Sequence, residues 1–188
     1  MRIKKCVAAV GVCAIFCSVA LGLRSLDAAQ HDEKKADSGV THAIAQLLPT
    51  TGSSVKGTVA FTKVASGVHV HAEITGLTPG EHGFHVHEYG VWSENGMSSG
   101  GHFNPTMAPH AGPDAKKRHV GDLGNITANS NGNATVDMDD AHLSFHGANS
   151  ILGRGVVVHE KADDLKGQPA GNAGARLAVG VVGVAKPQ

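Results

Sequence analysis

The chemistry of this chain is concentrated in its histidines. Six of the 13 histidines fall in four short segments at 85–88, 101–105, 110–122 and 158–160, and the third segment ends in an aspartate. These candidate ligands are His85, His87, His102, His110, His119, His159 and Asp122. Neutral imidazole is the commonest protein ligand for copper and zinc, and one carboxylate completes a typical zinc site. The set predicts a protein that binds copper and zinc and uses them in redox chemistry.

The spacing of His85 and His87 supports a shared ligand face. The two residues are two positions apart in a predicted strand, so their rings point to the same side of it. The pair is a weak signal by itself, because His69 and His71 have the same spacing with no third candidate ligand nearby. The other candidate ligands therefore carry the prediction, since all of them fall at the ends of predicted strands or in loops.

The elements that must hold these residues are strands. Glycine is frequent, with 25 residues, and aromatic residues make up only 4% of the chain, which favours an all-β barrel or sandwich over a helical bundle. Residues 68–74 alternate between apolar and polar, and 55–61 is the expected hairpin partner. Further strands are predicted at 83–87, 134–138, 155–158 and 177–185. Two long stretches without strand pattern, 88–118 and 161–175, are predicted to be functional loops.

The first 29 residues have the pattern of a signal peptide, with basic residues before an apolar run and small residues at its end. We expect cleavage there, a flexible polar leader over 30–40 and one domain over 41–188. An uncleaved anchor is the main alternative, and a lipoprotein signal is a weaker third one. Cleavage predicts an exported protein, periplasmic or extracellular, with no remaining contact with the membrane.

Loss of this segment would change both the cysteine content and the charge of the chain. All three cysteines, Cys6, Cys13 and Cys17, lie within it, so the mature domain cannot form an intramolecular disulfide. Four basic residues and one acidic residue would also be lost, which takes the net charge from zero to about −3. The sequence has no basic run that would mark a surface for nucleic acid, so we do not expect nucleic acid as a partner.

Five motifs bring these observations together. In chain order they read GFHVHEYG (83–90), HFNP (102–105), RHVGDLGN (118–125), VVHEKADDL (157–165) and GNAGARLA (171–178). In sequence, order and spacing they resemble the copper/zinc superoxide dismutases, from about residue 54 to the C-terminus. The resemblance implies an eight-stranded Greek-key β-barrel with two long functional loops. It also implies an enzyme that converts the superoxide anion to oxygen and hydrogen peroxide, with copper cycling between Cu(II) and Cu(I) and zinc in a structural role.

The resemblance also implies a role for each candidate residue. Copper would be bound by His85, His87, His102 and His159, and zinc by His102, His110, His119 and Asp122, so that His102 bridges both metals. Asp163 resembles the aspartate that hydrogen-bonds one copper ligand and one zinc ligand together. Arg176 resembles the arginine that guides the anionic substrate, and His102 would deliver a proton as general acid.

The chain departs from the family in one covalent link. Members usually have a disulfide between the loop before HFNP and the last strand, and Met97 and Val179 are the matching positions we assign here. We expect a hydrophobic contact between these two residues in its place. Trp92, at the start of the same loop, is an expected anchor of a homodimer interface, unless it packs on its own barrel.

Other functions remain open from the sequence. A protein of the same fold that stores or delivers copper and zinc without turnover would keep the same ligands. A zinc hydrolase or a cupin with a His-x-His pair fits less well, because Glu88 and Tyr89 follow the pair where a hydrolase has Asp-His. Two motifs at 125–127 and 133–135 match acceptors for N-linked glycans, which matter only in a eukaryotic secretory route.

Overall fold

A computed structural model describes residues 39–187 of the chain. These residues form nine strands, numbered β1 to β9 in chain order: His42–Pro49, Lys56–Val64, Gly67–Thr75, Gly80–His87, Asp122–Ala128, Ala134–Asp140, Gly155–His159, Arg176–Val181 and Gly183–Val184. The helical segments of this part of the chain are two 3₁₀ turns, Glu94–Ser99 and Gly147–Asn149. Between residues 39 and 187, no helix is long and apolar enough to span a bilayer. The predicted signal peptide, and the predicted leader up to residue 38, lie outside the described residues.

The strands form because apolar and polar residues alternate along them. In β3, Val68 and Val70 are buried while the intervening His69 is partly exposed. β3 pairs with β2 in the predicted hairpin, with Val59 opposite Ala72. The predicted strand over 83–87 is also present, as the end of β4.

The strands close into a barrel. Their hydrogen-bonded order is β5-β4-β7-β8-β1-β2-β3-β6, and the short β9 pairs with β1. All pairings are antiparallel. The two ends of this path, β5 and β6, follow each other in the chain, so the barrel is nearly closed along that seam. The chain crosses the barrel between β3 and β4 and again between β6 and β7, which is the Greek-key pattern. The predicted fold is confirmed.

The barrel interior is an apolar core without cysteine. Phe61, Phe84, Leu47, Ile74 and Ile151 are among its largest fully buried side chains. Fully burying a side chain of this size contributes roughly 1.5–3 kcal/mol. Residues 39–187 contain no cysteine, so packing and hydrogen bonds hold this domain together.

The two long loops connect strands that lie side by side. Residues 88–121 join β4 to β5, and residues 160–175 join β7 to β8. Because β4 pairs with both β5 and β7, both loops fall over the outer face of β4. This face is where the sequence places the first two candidate ligands.

Candidate metal centre

The outer face of β4 carries the first two ligands. Phe84 and Val86 point into the barrel core, so the alternation of the strand turns His85 and His87 outward. Both histidines are nevertheless buried, because the two long loops cover them. The site is therefore enclosed, although it lies outside the barrel core.

Four histidines converge there. The ligand atoms of His85, His87, His102 and His159 all lie within 4.8 Å of one another. The rings of His85 and His102 approach to 3.9 Å between centroids, and Nε2 of His87 is 3.3 Å from Nε2 of His159. The four residues that the sequence assigns to copper thus form one buried group.

The protein orients these rings through their second nitrogens. Nδ1 of His87 donates to the Gly100 carbonyl at 2.9 Å, and Nδ1 of His159 donates to the Gly174 carbonyl at 3.4 Å. A ring that donates from Nδ1 presents an unprotonated Nε2, which is the form that binds a metal. Both Nε2 atoms face the centre of the group.

A second group shares one member with the first. The ligand atoms of His102, His110, His119 and Asp122 also lie within 4.8 Å of one another. Oδ1 of Asp122 is 2.7, 2.9 and 3.1 Å from Nδ1 of His102, His110 and His119. Burial raises the pKa of Asp122, but hydrogen bonds from His102 and the Ala111 amide outweigh it and lower the pKa to about 2. The group is three imidazoles around one carboxylate, a donor set typical of zinc.

Asp163 joins the two groups from behind. Its carboxylate accepts from Nε2 of His85 and from Nε2 of His110, each at 2.9 Å. Burial opposes the charge on Asp163, but hydrogen bonds from His85, the Leu165 amide and His110 hold its pKa well below the usual range. Asn125 fixes the backbone of Asp163, donating to its carbonyl at 2.9 Å and accepting from its amide at 2.7 Å.

The residues fit metal ions. Within the two ligand groups, four buried ring nitrogens have no hydrogen-bond partner among the described residues: Nδ1 of His85, Nε2 of His102, Nδ1 of His110 and Nδ1 of His119. The last two are close to Asp122 but not in hydrogen-bond geometry with it. A buried polar atom without a hydrogen-bond partner lowers the free energy of unfolding by about 1–3 kcal/mol. Four such nitrogens close together are therefore typical of a site that binds metal ions.

The protonation state of the rings supports the same conclusion. Burial lowers the pKa of His85 to about 4 and that of His159 to about 3, and it holds the pKa of His87 well below its usual value. These rings are neutral near pH 7, and the neutral ring is the form that ligates a metal.

Comparisons with known proteins agree with this geometry. The family model described as copper/zinc superoxide dismutase matches residues 55–182. The extracellular superoxide dismutase [Cu-Zn] of Drosophila melanogaster is 45% identical over 153 residues, which are 76% of this chain and 84% of that protein. The protein of the same name from Brugia pahangi is 43% identical over 147 residues, 73% of this chain and 74% of its own. This chain belongs to the copper/zinc superoxide dismutase family.

A solved structure extends the likeness to the fold. The crystal structure of the clock protein EA4 is 45% identical, with a TM-score of 0.73, and the match covers 78% of this chain and 96% of that one. The predicted family is confirmed, and with it the class of enzyme. Copper and zinc are the metals that the family implies, and the two groups of ligands could hold them.

A cavity of about 260 Å³ opens over the group that contains His159, and Arg176 lines it. The Arg176 guanidinium is held by three acceptors of the 3₁₀ turn and the residue after it. It donates to the Gly96 carbonyl, to Ser99 Oγ at 2.8 Å and to the Gly100 carbonyl at 2.6 Å. Burial lowers its pKa, but an arginine stays charged in proteins. The cavity thus has a fixed positive charge beside the histidines.

The structure corrects the expected substitute for the family's disulfide. Met97, the predicted partner of Val179, is 62% exposed at the rim of the cavity, while Val179 is fully buried. A Cβ added at Gly96 would lie 2.5 Å from Cγ2 of Val179. The loop residue that faces Val179 is therefore Gly96, one position earlier, and the absence of its side chain lets the loop lie against β8.

Three supporting residues were not identified from the sequence. Asn125 holds Asp163, Ser99 holds Arg176, and His82 donates from Nδ1 to the His159 carbonyl at 2.8 Å. His82 is itself buried. Each of these contacts joins positions more than 35 residues apart, so local sequence carries no signal for them.

Proposed function

We propose that this protein is an extracellular superoxide dismutase, which converts two superoxide anions and two protons to oxygen and hydrogen peroxide. The observation that carries the proposal is the pair of buried ligand groups that share His102, beside a cavity with the fixed charge of Arg176. The family, and the names of the two relatives, support the same reaction.

His85, His87, His102 and His159 would hold copper, and His102, His110, His119 and Asp122 would hold zinc. When bound, copper supplies one-electron transfer between Cu(II) and Cu(I), and zinc supplies a redox-inert charge. The family resemblance assigns copper to the first group and zinc to the second, and the single carboxylate in the second group supports this assignment. His102 is the residue that can serve both metals, because its two ring nitrogens face opposite groups.

The chain's own residues would handle the anion and the proton. Arg176 attracts superoxide into the cavity and orients it with guanidinium N–H groups. His102 would hold a proton at Nε2 and give it to the product, since this buried nitrogen faces the copper group and has no protein partner. The loops exclude bulk water from His85 and His87, which keeps their rings neutral.

We also propose export to the extracellular space. Residues 1–29 would be the signal peptide, residues 30–40 the flexible leader and residues 41–188 the mature domain. The basic and apolar pattern of the N-terminus and the names of the two relatives support this. N-terminal sequencing of the protein from both the medium and the membrane fraction tests it: a start near residue 30 in the medium is expected, and a start at Met1 in the membrane fraction would indicate an uncleaved anchor.

We propose that the mature protein is a homodimer. Ile44, Leu48 and Val181 are exposed on the outer faces of the adjacent strands β1 and β8, and Val91 and Trp92, which directly follow Gly90, are exposed as well. Gly90 connects this segment to β8, because it lies against Val181: a Cβ added at Gly90 would be 2.8 Å from Cγ1 of Val181. We call these five residues the β1–β8 patch. A contiguous apolar patch with an aromatic residue is typical of an interface.

Activity and metal content, measured on one sample, test the proposed reaction. We expect about one copper and one zinc per chain together with rapid dismutation. His159→Ala removes a copper ligand and should abolish activity while zinc is kept. Arg176→Ala should lower kcat/KM by at least tenfold while both metals are kept, because the substrate loses its fixed charge.

A different result would favour a different function. Full loading with both metals and negligible turnover would contradict the proposal and leave the storage or delivery protein that the sequence left open. Substitution of Lys186, an exposed residue outside the cavity, by alanine is the control and should change neither quantity.

A further inference from the structure

We propose that Asn133, in the turn between β5 and β6, carries an N-linked glycan, and that Asn125 stays unmodified. The inference rests on the proposed extracellular location, since only a secreted chain meets the enzyme that transfers the glycan. The sequence contains both acceptor motifs, Asn125-Ile126-Thr127 and Asn133-Ala134-Thr135. Sequence alone does not distinguish them, but their structural surroundings do.

The side chain of Asn133 is exposed and is not needed by its turn. Asn129 builds the turn. Its side-chain Oδ1 accepts from the backbone N–H groups of Asn131 and Asn133, and its own backbone N–H donates to the Asn133 carbonyl. The backbone of Asn133 is thus fixed at both its N–H and its C=O, while its side-chain amide makes no hydrogen bond within residues 39–187. The Thr135 side chain of the same motif is also exposed.

Asn125 has the opposite environment. Both atoms of its side-chain amide bond to the backbone of Asp163, at 2.9 and 2.7 Å. Asp163 in turn orients His85 and His110. A sugar on Nδ2 of Asn125 would displace the Asp163 carbonyl and push the 160–175 loop away from β5, so a chain modified there would lose the contact that holds Asp163 in the metal centre.

The position of Asn133 on the barrel also suits a bulky polar group. β5 begins at Asp122, in the metal centre, and runs for seven residues before the turn, which places Asn133 about 20 Å along the strand from the ligands. The β5/β6 seam is at the two ends of the strand order, whereas β8 and β1 are in its middle. A glycan at Asn133 therefore covers neither the cavity nor the β1–β8 patch.

The modification is a simple transfer. Nδ2 of Asn133 forms a bond to the anomeric carbon of a lipid-linked oligosaccharide, the bond from that carbon to the lipid pyrophosphate breaks, and the amide loses one proton. No oxidant or reductant is involved. The product is a neutral amide linkage in solvent.

Secretion of the full chain from cultured insect cells tests the proposal. Protein from the medium is treated with peptide N-glycosidase in ¹⁸O water, which converts a glycosylated asparagine to labelled aspartate, and the peptides are analysed by mass spectrometry. We expect the label at Asn133 and not at Asn125. Asn133→Gln and Thr135→Val should remove the glycan with dismutase activity unchanged, and Thr135→Ser should keep it. Asn125→Gln should keep the glycan and lower metal content.

Two results overturn the proposal: secreted protein without label at Asn133, or active protein with label at Asn125. A failure of the proposed export can be distinguished from a failure of the proposed glycosylation, because the protein then remains in the cells. In that case the same chain with its first 29 residues replaced by a heterologous signal peptide is passed through the secretory route, and the label at Asn133 decides the proposal independently of the native signal.

Discussion

Each histidine of the metal centre has two nitrogens with different tasks, and Asp163 shows why this division matters. One nitrogen of His85 and one of His110 are taken by the same carboxylate, so the opposite nitrogens are directed to different groups. A single residue on the second loop thus sets the ring orientation in both groups at once. Six of the seven metal ligands could be predicted from the motifs in which they stand, and His110 from its place between two of those motifs, whereas the Asn125 contact that fixes Asp163 could not.

Replacement of Asp163 by Asn tests this coupling. An amide offers one oxygen where the carboxylate offers two, so it cannot accept from both histidines. We expect both metals to be bound about 10–100-fold more weakly, because one histidine in each group loses its orienting partner. Competition with a chelator at graded concentrations, with copper and zinc measured separately, gives the two affinities.

Asp139→Asn is the matched control, since Asp139 is an exposed aspartate on the outer face of β6, away from the metal centre. Its metal affinities should equal those of the unaltered protein. If Asp163→Asn weakened only one metal, or neither, the two groups would be oriented independently.

At the scale of elements, the strands that could be predicted are those with one buried face. β3 alternates regularly, so both it and its hairpin with β2 are visible in the sequence. β5 was not predicted, because its first three residues are all buried and include the ligand Asp122. β1 was missed for the opposite reason: Ile44 and Leu48 are apolar on its exposed face, which hides the alternation.

The loop that carries Gly96 is another element whose support was only partly predictable. The lack of a disulfide follows from the sequence, but the contact between Gly96 and Val179, and the three hydrogen bonds from Arg176, depend on the folded geometry. The loop is thus held without a covalent bond by the same arginine that faces the cavity.

The double substitution Gly96→Cys with Val179→Cys should restore a covalent link. A Cβ at position 96 would be 2.5 Å from Cγ2 of Val179, which puts the two Cβ atoms within about 4 Å, as disulfides require. Closing so long a loop contributes on the order of 4 kcal/mol, from which roughly 1 kcal/mol is lost because Gly96 has a φ of 79°. We expect the oxidised protein to have a higher Tm than the same protein after reduction.

Each single cysteine variant serves as a control and should show no effect of the reductant on Tm. Gly96→Cys alone should be less stable than the unaltered protein, since its side chain meets Val179. An oxidised double variant that melts at or below the temperature of its reduced form would show that the loop is already held in a geometry that the disulfide distorts.

On the scale of the whole molecule, the Greek-key order separates three surfaces. The cavity lies over the face of β4 and β7, the β1–β8 patch lies beside it in the strand order, and the β5/β6 turn with Asn133 lies across the barrel from that patch. Assembly through the patch would leave the cavity open to solvent. Two copies could then act side by side without either blocking the approach of anions to the other.

Trp92→Glu tests this assembly. Trp92 is 43% exposed in the β1–β8 patch, and buried tryptophans at interfaces commonly contribute 2 kcal/mol or more. Its replacement by a charged side chain should weaken the dimer by at least about 30-fold, which light scattering after size exclusion detects as monomer at micromolar concentration.

Met107→Glu is the control, because Met107 is 91% exposed but lies outside the patch, so its dimer should persist. If the unaltered protein is already monomeric at high micromolar concentration, the patch is not a dimer interface. Because the cavity is formed within one chain, the Trp92→Glu monomer should keep its metals and most of its activity, which separates loss of assembly from damage to the site.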